Sequence, residues 1–302
     1  MLGKIYRESN TWRRSVKATL SWMDASSRKY LATTSSSTFV HLGQYTAELH
    51  EAGDGSPTVM IPGLAGGVGL LGPLARAVAG SSRAYSYQLR GESDCFTLRY
   101  PFDLDDLVDD LAELLDTLRL ESPTIMGLSF GGIIALKFAI RYPYRLGRLV
   151  VQGVGARFEP GLIHQIARTV LSRFPLPADN PFVNQFFNLL FGCRQKQDSL
   201  FEFVTRQVWQ TDQSVMAHRF RLIEQFEIED QLHRIKAPTL IMSGDRDVLV
   251  SQSSLRPLVE GIANAQFVRL PNCGHLAFVT RPEAIVKHLA EAMAPVASKW
   301  SD

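Results

Sequence analysis

Ser129 stands in "IMGLSFGG", residues 125 to 132, among Gly127, Gly131 and Gly132. Glycine weakens a helix or strand interior by about 0.5–1 kcal/mol relative to alanine, so such a cluster asks for a backbone reason, such as a sharp turn. A serine hydroxyl is a weak nucleophile; it needs a base, and the base needs an orienting acid. Both lie downstream, as Asp245 and Asp247 in "LIMSGDRDVLV" and His275 in "RLPNCGHLAFVTRPEA". Serine attack on a carbonyl, with the proton held by a histidine, is the chemistry of acyl transfer.

Groups so far apart along the chain must be gathered by the fold. "SPTVMIPG", "RAYSYQLRG", "PTIMG", "RLVVQGVG", "APTLIMSG" and "AQFVRLP" are short apolar runs that read as strands. "TFVHLGQYTAELHEAGDG" reads as two antiparallel strands around Gly43. Between the runs lie helical patterns. "GPLARAVAG" has a proline near its first turn and Gly80 as its stop, and "DLDDLVDDLAELLDTLRL" puts leucines on one face. "FGGIIALKFAIRYP" is helical up to Arg141 or Tyr142, and "LRPLVEGIA" and "RPEAIVKHLAEAMA" follow later. This alternation predicts an α/β protein with a mainly parallel sheet and helices on both faces.

The expected organisation is a basic N-terminal extension and linker over 1–37, a core in two parts, 38–156 and 233–302, and a helical cap over 157–232. The cap interval has no short β-branched runs and holds ten of the seventeen phenylalanines.

Ser129 thus falls between a buried strand and a helix inside G-x-S-x-G, the setting that a nucleophile elbow requires. Here the chain resembles the α/β-hydrolase family, in particular its capped esterase-like members, over about residues 38 to 295. The resemblance implies a triad of Ser129, Asp247 and His275; Asp247 lies three residues after the strand-ending Gly244, which favours it over Asp245. It also implies an oxyanion hole of backbone N–H groups at Leu64, in "IPGLAGG", and Phe130. The chain departs from the family's pattern at Pro62, where a histidine is usual, at Ser251, where a proline is common, and in "QLRGESDC", which matches only at Arg90 and Gly91.

The expected activity is hydrolysis of an ester-like bond through an acyl-enzyme, with a small apolar or aromatic substrate suggested by the cap's aromatic rings. The same triad serves thioester, lactone or carbon–carbon bond hydrolysis and acyl transfer, and the fold also serves as a small-molecule receptor or interaction protein. No cofactor or metal is implied. "GVGLLG", residues 67 to 72, satisfies G-x-G-x-x-G with Glu92 about twenty residues on, but "PGLAG" separates it from the strand and Pro73 follows, against a dinucleotide site.

A net charge of +2 does not suggest nucleic-acid binding. Cys95, Cys193 and Cys273 are odd in number and widely spaced, which argues against a disulfide framework and favours a reducing, cytoplasmic setting. Residues 1 to 38 carry seven basic against two acidic side chains, and Ile5, Trp12, Val16, Leu20 and Met23 recur at helical spacing. A solvated leader is the simplest reading; peripheral membrane contact through residues 1–30 and organelle targeting are the alternatives. His41, His50, His164, His218, His233 and His288 read as structural, and Cys273 as packing.

Overall fold

A computed structural model describes residues 36–92, 101–173, 181–192 and 198–293. The basic extension up to residue 35, Cys95, Phe174 and Cys193 lie outside the described residues, as does the side chain of Phe182.

Eight strands form one sheet: β1 (Ser36–Leu42), β2 (Tyr45–Ala52), β3 (Pro57–Ile61), β4 (Arg83–Tyr87), β5 (Thr124–Leu128), β6 (Arg148–Gln152), β7 (Thr239–Gly244) and β8 (Ala265–Leu270). Their order is β1-β2-β4-β3-β5-β6-β7-β8. β2 pairs antiparallel with β1 and β4, and every other pairing is parallel. β1 therefore takes in the last two residues of the expected 1–37 extension.

The strands carry continuous apolar runs because both faces of the sheet are covered. Alternate side chains go to opposite faces. Ile61, Ile125, Val151 and Ile241 join one apolar cluster, while Met60, Met126, Val150 and Met242 join the other.

The helices of the core are α1 (Gly67–Leu70), α2 (Gly72–Val78), α3 (Leu104–Thr117) and α4 (Phe130–Arg141), with α9 (Gln252–Gly261), α10 (Ala277–Thr280) and α11 (Pro282–Met293) after the insertion. α3 shows why its sequence folds so. The Asp103 carboxylate accepts the Asp106 N–H and the Asp106 carboxylate accepts the Asp103 N–H, both at 2.9 Å. This reciprocal cap satisfies two otherwise orphaned donors. Leu107, Leu111, Leu114 and Leu115 then bury one stripe, each contributing about 1.5–3 kcal/mol by leaving water. The four-residue helices α1 and α10 escape a sequence reading because a single turn has no period to detect.

Between β6 and β7 the chain leaves the sheet for α5 (Leu162–Arg173), α6 (Pro181–Phe191), α7 (Asp198–Val208) and α8 (Gln213–Glu224), then a 3-10 turn, Glu229–Arg234. At the base of this helical insertion Arg157 bridges Glu227 through its backbone, and its guanidinium holds Glu159 at 2.9 Å and Glu229 at 2.5 Å. No helix among the described residues is long and apolar enough to cross a membrane.

Candidate active site

Parallel strands put their C-terminal ends on one edge, and the loops leaving that edge converge there. The loop after β3 carries Gly63 and Leu64, the turn after β5 carries Ser129, the loop after β7 carries Asp247, and the loop after β8 carries His275.

Ser129 occupies the junction of β5 and α4 with φ 53° and ψ −117°, a conformation that non-glycine residues rarely adopt. Such a position costs about 1–3 kcal/mol and persists only when its surroundings hold it. The surrounding glycines explain how it fits. A Cβ on Gly131 would lie 2.2 Å from the Ile61 carbonyl oxygen, and one on Gly127 would lie 2.4 Å from the Gly131 carbonyl oxygen. β3, β5 and α4 therefore approach one another at backbone contact distance, and the turn is pressed upward between them.

His275 bridges the other two groups. Its Nε2 lies 2.8 Å from Ser129 Oγ, and its Nδ1 lies 2.9 Å from Asp247 Oδ2. Both His275 and Asp247 are buried. Burial works against the Asp247 carboxylate. The charge and hydrogen bond of His275 and the N–H groups of Leu249 and Val250 outweigh it, holding the carboxyl below its usual pKa. Asp245 stays apart from this chain of hydrogen bonds. It braces the turn, accepting the Cys273 N–H at 3.1 Å.

Leu64 and Phe130 both line the cavity beside Ser129. Phe130 is the first residue of α4, where an N–H has no acceptor within the helix. Three further residues join the site without a sequence signal. Gln152, buried at the end of β6, accepts the Ser129 N–H at 2.8 Å with its carbonyl and donates its side-chain amide to the His275 carbonyl at 3.1 Å. Gly153 has φ 68°, where a side chain is strained, and a Cβ there would crowd the His275 ring at 3.0 Å. His164, on α5, lines the cavity, and burial followed by the nearby His275 pushes its pKa down. A histidine on an amphipathic helix looks the same in sequence whether it faces a cavity or a neighbour.

Of the remaining histidines, His218 is buried and donates to the Phe102 carbonyl at 2.6 Å, while His50 and His288 lie beside Glu48 and Glu291. Ser251 caps α9 by accepting the Ser254 N–H, and its hydroxyl donates to Glu159. Cys273 is buried in the apolar cluster. Among the described residues no group of His, Cys, Asp and Glu could hold a metal ion.

Above Ser129 lies a cavity of about 230 Å³. Phe186, Phe187, Trp209 and Phe220 of the insertion line it, with Phe158 and Phe226 at its base, whereas Phe191 and Phe203 pack into the protein interior. The insertion also grips the loops below. Gly274 and Leu276, on either side of His275, donate their N–H groups to the carbonyls of Phe191 and Leu190 at 3.1 Å.

A model of the alpha/beta hydrolase fold family matches residues 56–282. The chain belongs to this family. Among α/β hydrolases, it is 26% identical over 253 residues to a poly(3-hydroxyalkanoate) depolymerase of Ectopseudomonas oleovorans, covering 81% of this chain and 84% of that one. It is 27% identical over 250 residues to a 2-hydroxy-6-oxo-6-phenylhexa-2,4-dienoate hydrolase of Comamonas testosteroni, covering 78% and 87%. In structure it is similar to a thermophilic esterase from Thermogutta terrifontis, with TM-score 0.71, 22% identity and coverage of 87% of this chain and all of that one. At that identity the last comparison speaks for the fold alone.

Proposed function

We propose that this α/β hydrolase is a serine hydrolase that cleaves an ester-like bond of a small apolar or aromatic substrate through an acyl-enzyme. The observation that carries the reading is His275, set between Ser129 Oγ and Asp247 Oδ2 at hydrogen-bond distance on both sides. In the first step Ser129 Oγ forms a bond to the carbonyl carbon while its proton passes to His275 Nε2. The carbonyl oxygen becomes an oxyanion received by the Leu64 and Phe130 N–H groups. The oxyanion then collapses, the alkoxide leaves with the His275 proton, and the acyl group stays on Ser129. Water then attacks the acyl carbon while giving its proton to His275, and the new oxyanion collapses with return of that proton to Ser129 Oγ, releasing the carboxylic acid. Asp247 orients the imidazole and stabilises its charged form. Preorganised backbone donors suit the oxyanion because no reorganisation is needed as charge develops.

The helical insertion acts as a cap, and its rings make the pocket apolar and poor in water, as small-ligand sites commonly are. A substrate carrying a free carboxylate is less well supported. Arg157, which lines the pocket, is already engaged by Glu159 and Glu229. The intact hydrogen-bonded chain through His275 speaks against a receptor without activity.

A serine-directed fluorophosphonate is expected to label the wild-type protein and not Ser129→Ala. Ester, thioester, lactone and diketone panels then assign the bond. Equal labelling of both proteins would refute the mechanism.

A further inference from the structure

Arg219 of α8 is fully buried, and its contacts converge on the residues proposed to bind the oxyanion. Its Nη1 donates to the Leu64 carbonyl at 2.9 Å and to Glu92 Oε1 at 2.6 Å, and its Nη2 donates to the Arg90 carbonyl at 2.9 Å. Its guanidinium carbon lies 5.7 Å from the centre of the Phe130 ring. One side chain of the insertion thus touches both Leu64 and Phe130. A second contact runs alongside: Thr211, just before α8, accepts the Gly66 N–H at 2.9 Å through its hydroxyl. The packing leaves little slack, since a Cβ on Gly91 would lie 2.9 Å from the Val215 methyls of the same helix.

Stability alone accounts poorly for this arrangement. A buried ion pair pays heavily in desolvation, and well-packed apolar residues often serve as well. Here Glu92 Oε2 and Arg219 Nε are buried with no hydrogen-bond partner. Apart from the bond to Glu92 Oε1, the guanidinium's hydrogen bonds go to main-chain carbonyls, one of them in the loop after β3. Fixing the Leu64 carbonyl holds the peptide plane that follows Leu64, and so limits the backbone rotation by which Leu64 could reorient the preceding plane that carries its own N–H.

We infer that Arg219 is a positioning residue for the oxyanion hole, holding the Leu64 loop and the Phe130 ring from the cap so that their two N–H groups aim at one point. The inference rests on the acyl-enzyme reading above. Arg219 does not line the pocket, so it acts through the loop and not by touching substrate.

The test is the double variant Arg219→Met with Glu92→Leu, which removes both buried charges and so leaves neither unpaired. The readouts are the melting temperature, kcat and KM for p-nitrophenyl butyrate, and the affinity of an alkylboronic acid. A boronic acid bonds to Ser129 Oγ as an anionic tetrahedral boronate and puts one of its hydroxyl oxygens where the oxyanion would sit. The expected result is a folded protein with KM nearly unchanged, kcat lower by about 30-fold, and boronate affinity lower in parallel. That loss is smaller than the 10²–10³ typical of deleting an oxyanion donor outright. A folded double variant with wild-type kcat and boronate affinity overturns the inference. If the double variant does not fold, Arg219→Lys decides. It keeps a charge for Glu92 but lacks the planar fork, so the same parallel loss is expected, and wild-type values overturn the role. Fluorophosphonate labelling separates the two ways of failing. A wild-type protein unlabelled at Ser129 removes the acyl-enzyme reading and this inference with it, whereas a labelled, active wild type matched by its variants removes only the role of Arg219.

Discussion

At the scale of single residues, the two aspartates after β7 show how much a spacing can say. Asp247 lies three residues beyond Gly244 and reaches His275, while Asp245 turns back onto the Cys273 N–H. Asp247→Asn should lower kcat by about 10⁴-fold, the expectation when the imidazole loses its orienting acid. Asp245→Asn should leave kcat within a few-fold and lower stability only slightly, through the weakened turn. Steady-state kinetics and urea unfolding of both variants check the ranking. The pH dependence follows from the depressed pKa of Asp247. Its ionised form is favoured by folding, so its contribution to stability is fully present above about pH 4, the unfolded value, and is lost as pH falls through the lower folded value. The stability deficit of Asp247→Asn should therefore persist at pH 5 and shrink toward pH 3. Ser129 and His275 were legible because an elbow and a strand-end loop have local signatures. Gln152 and His164 were not, since a residue that ends a strand or dots a helix carries no mark of what it faces.

At the scale of elements, the turn at Ser129 depends on three elements meeting without side chains between them. Gly131→Ala would drive a methyl into the Ile61 and Pro62 carbonyls, at 2.2 and 2.5 Å. The strand end must then shift, and overpacking of this kind costs about 1–3 kcal/mol. Because the displaced segment leads straight into Leu64, the fluorophosphonate labelling rate should fall by more than the loss of folded protein explains. Labelling at a temperature where the variant remains folded separates the two effects. The strands and long helices were readable from their periods. The insertion could be recognised only as helical, and its approach to the core could not, because Arg219 and Glu92 are separated by 127 positions and neither has a local signal. Glu92 drew notice in the sequence as the acid about twenty residues beyond a glycine pattern, and in the fold it is the partner of Arg219.

At the scale of the whole molecule, the proposed reacting groups sit on the core, and side chains of the insertion line the cavity above them. Each methylene buried in the pocket is worth about 0.8 kcal/mol when its binding is fully expressed, so kcat/KM should rise roughly fourfold per carbon until the space is filled. A p-nitrophenyl ester series from acetate to dodecanoate should rise, reach a maximum and then decline. A flat profile would mean that the rings pack on one another and not on the acyl chain. The grip of α6 on the loop of His275 bears on when the protein can react as well as on what it accepts. The amides on both sides of the imidazole are tied to the last carbonyls of a roof helix. A motion that lifted this helix to admit a molecule would also release the loop carrying His275. With those two ties gone, the imidazole would lose its support, and substrate entry and proton transfer are expected to alternate. The exchange of the Gly274 and Leu276 amide protons with solvent is the clock that would count such openings.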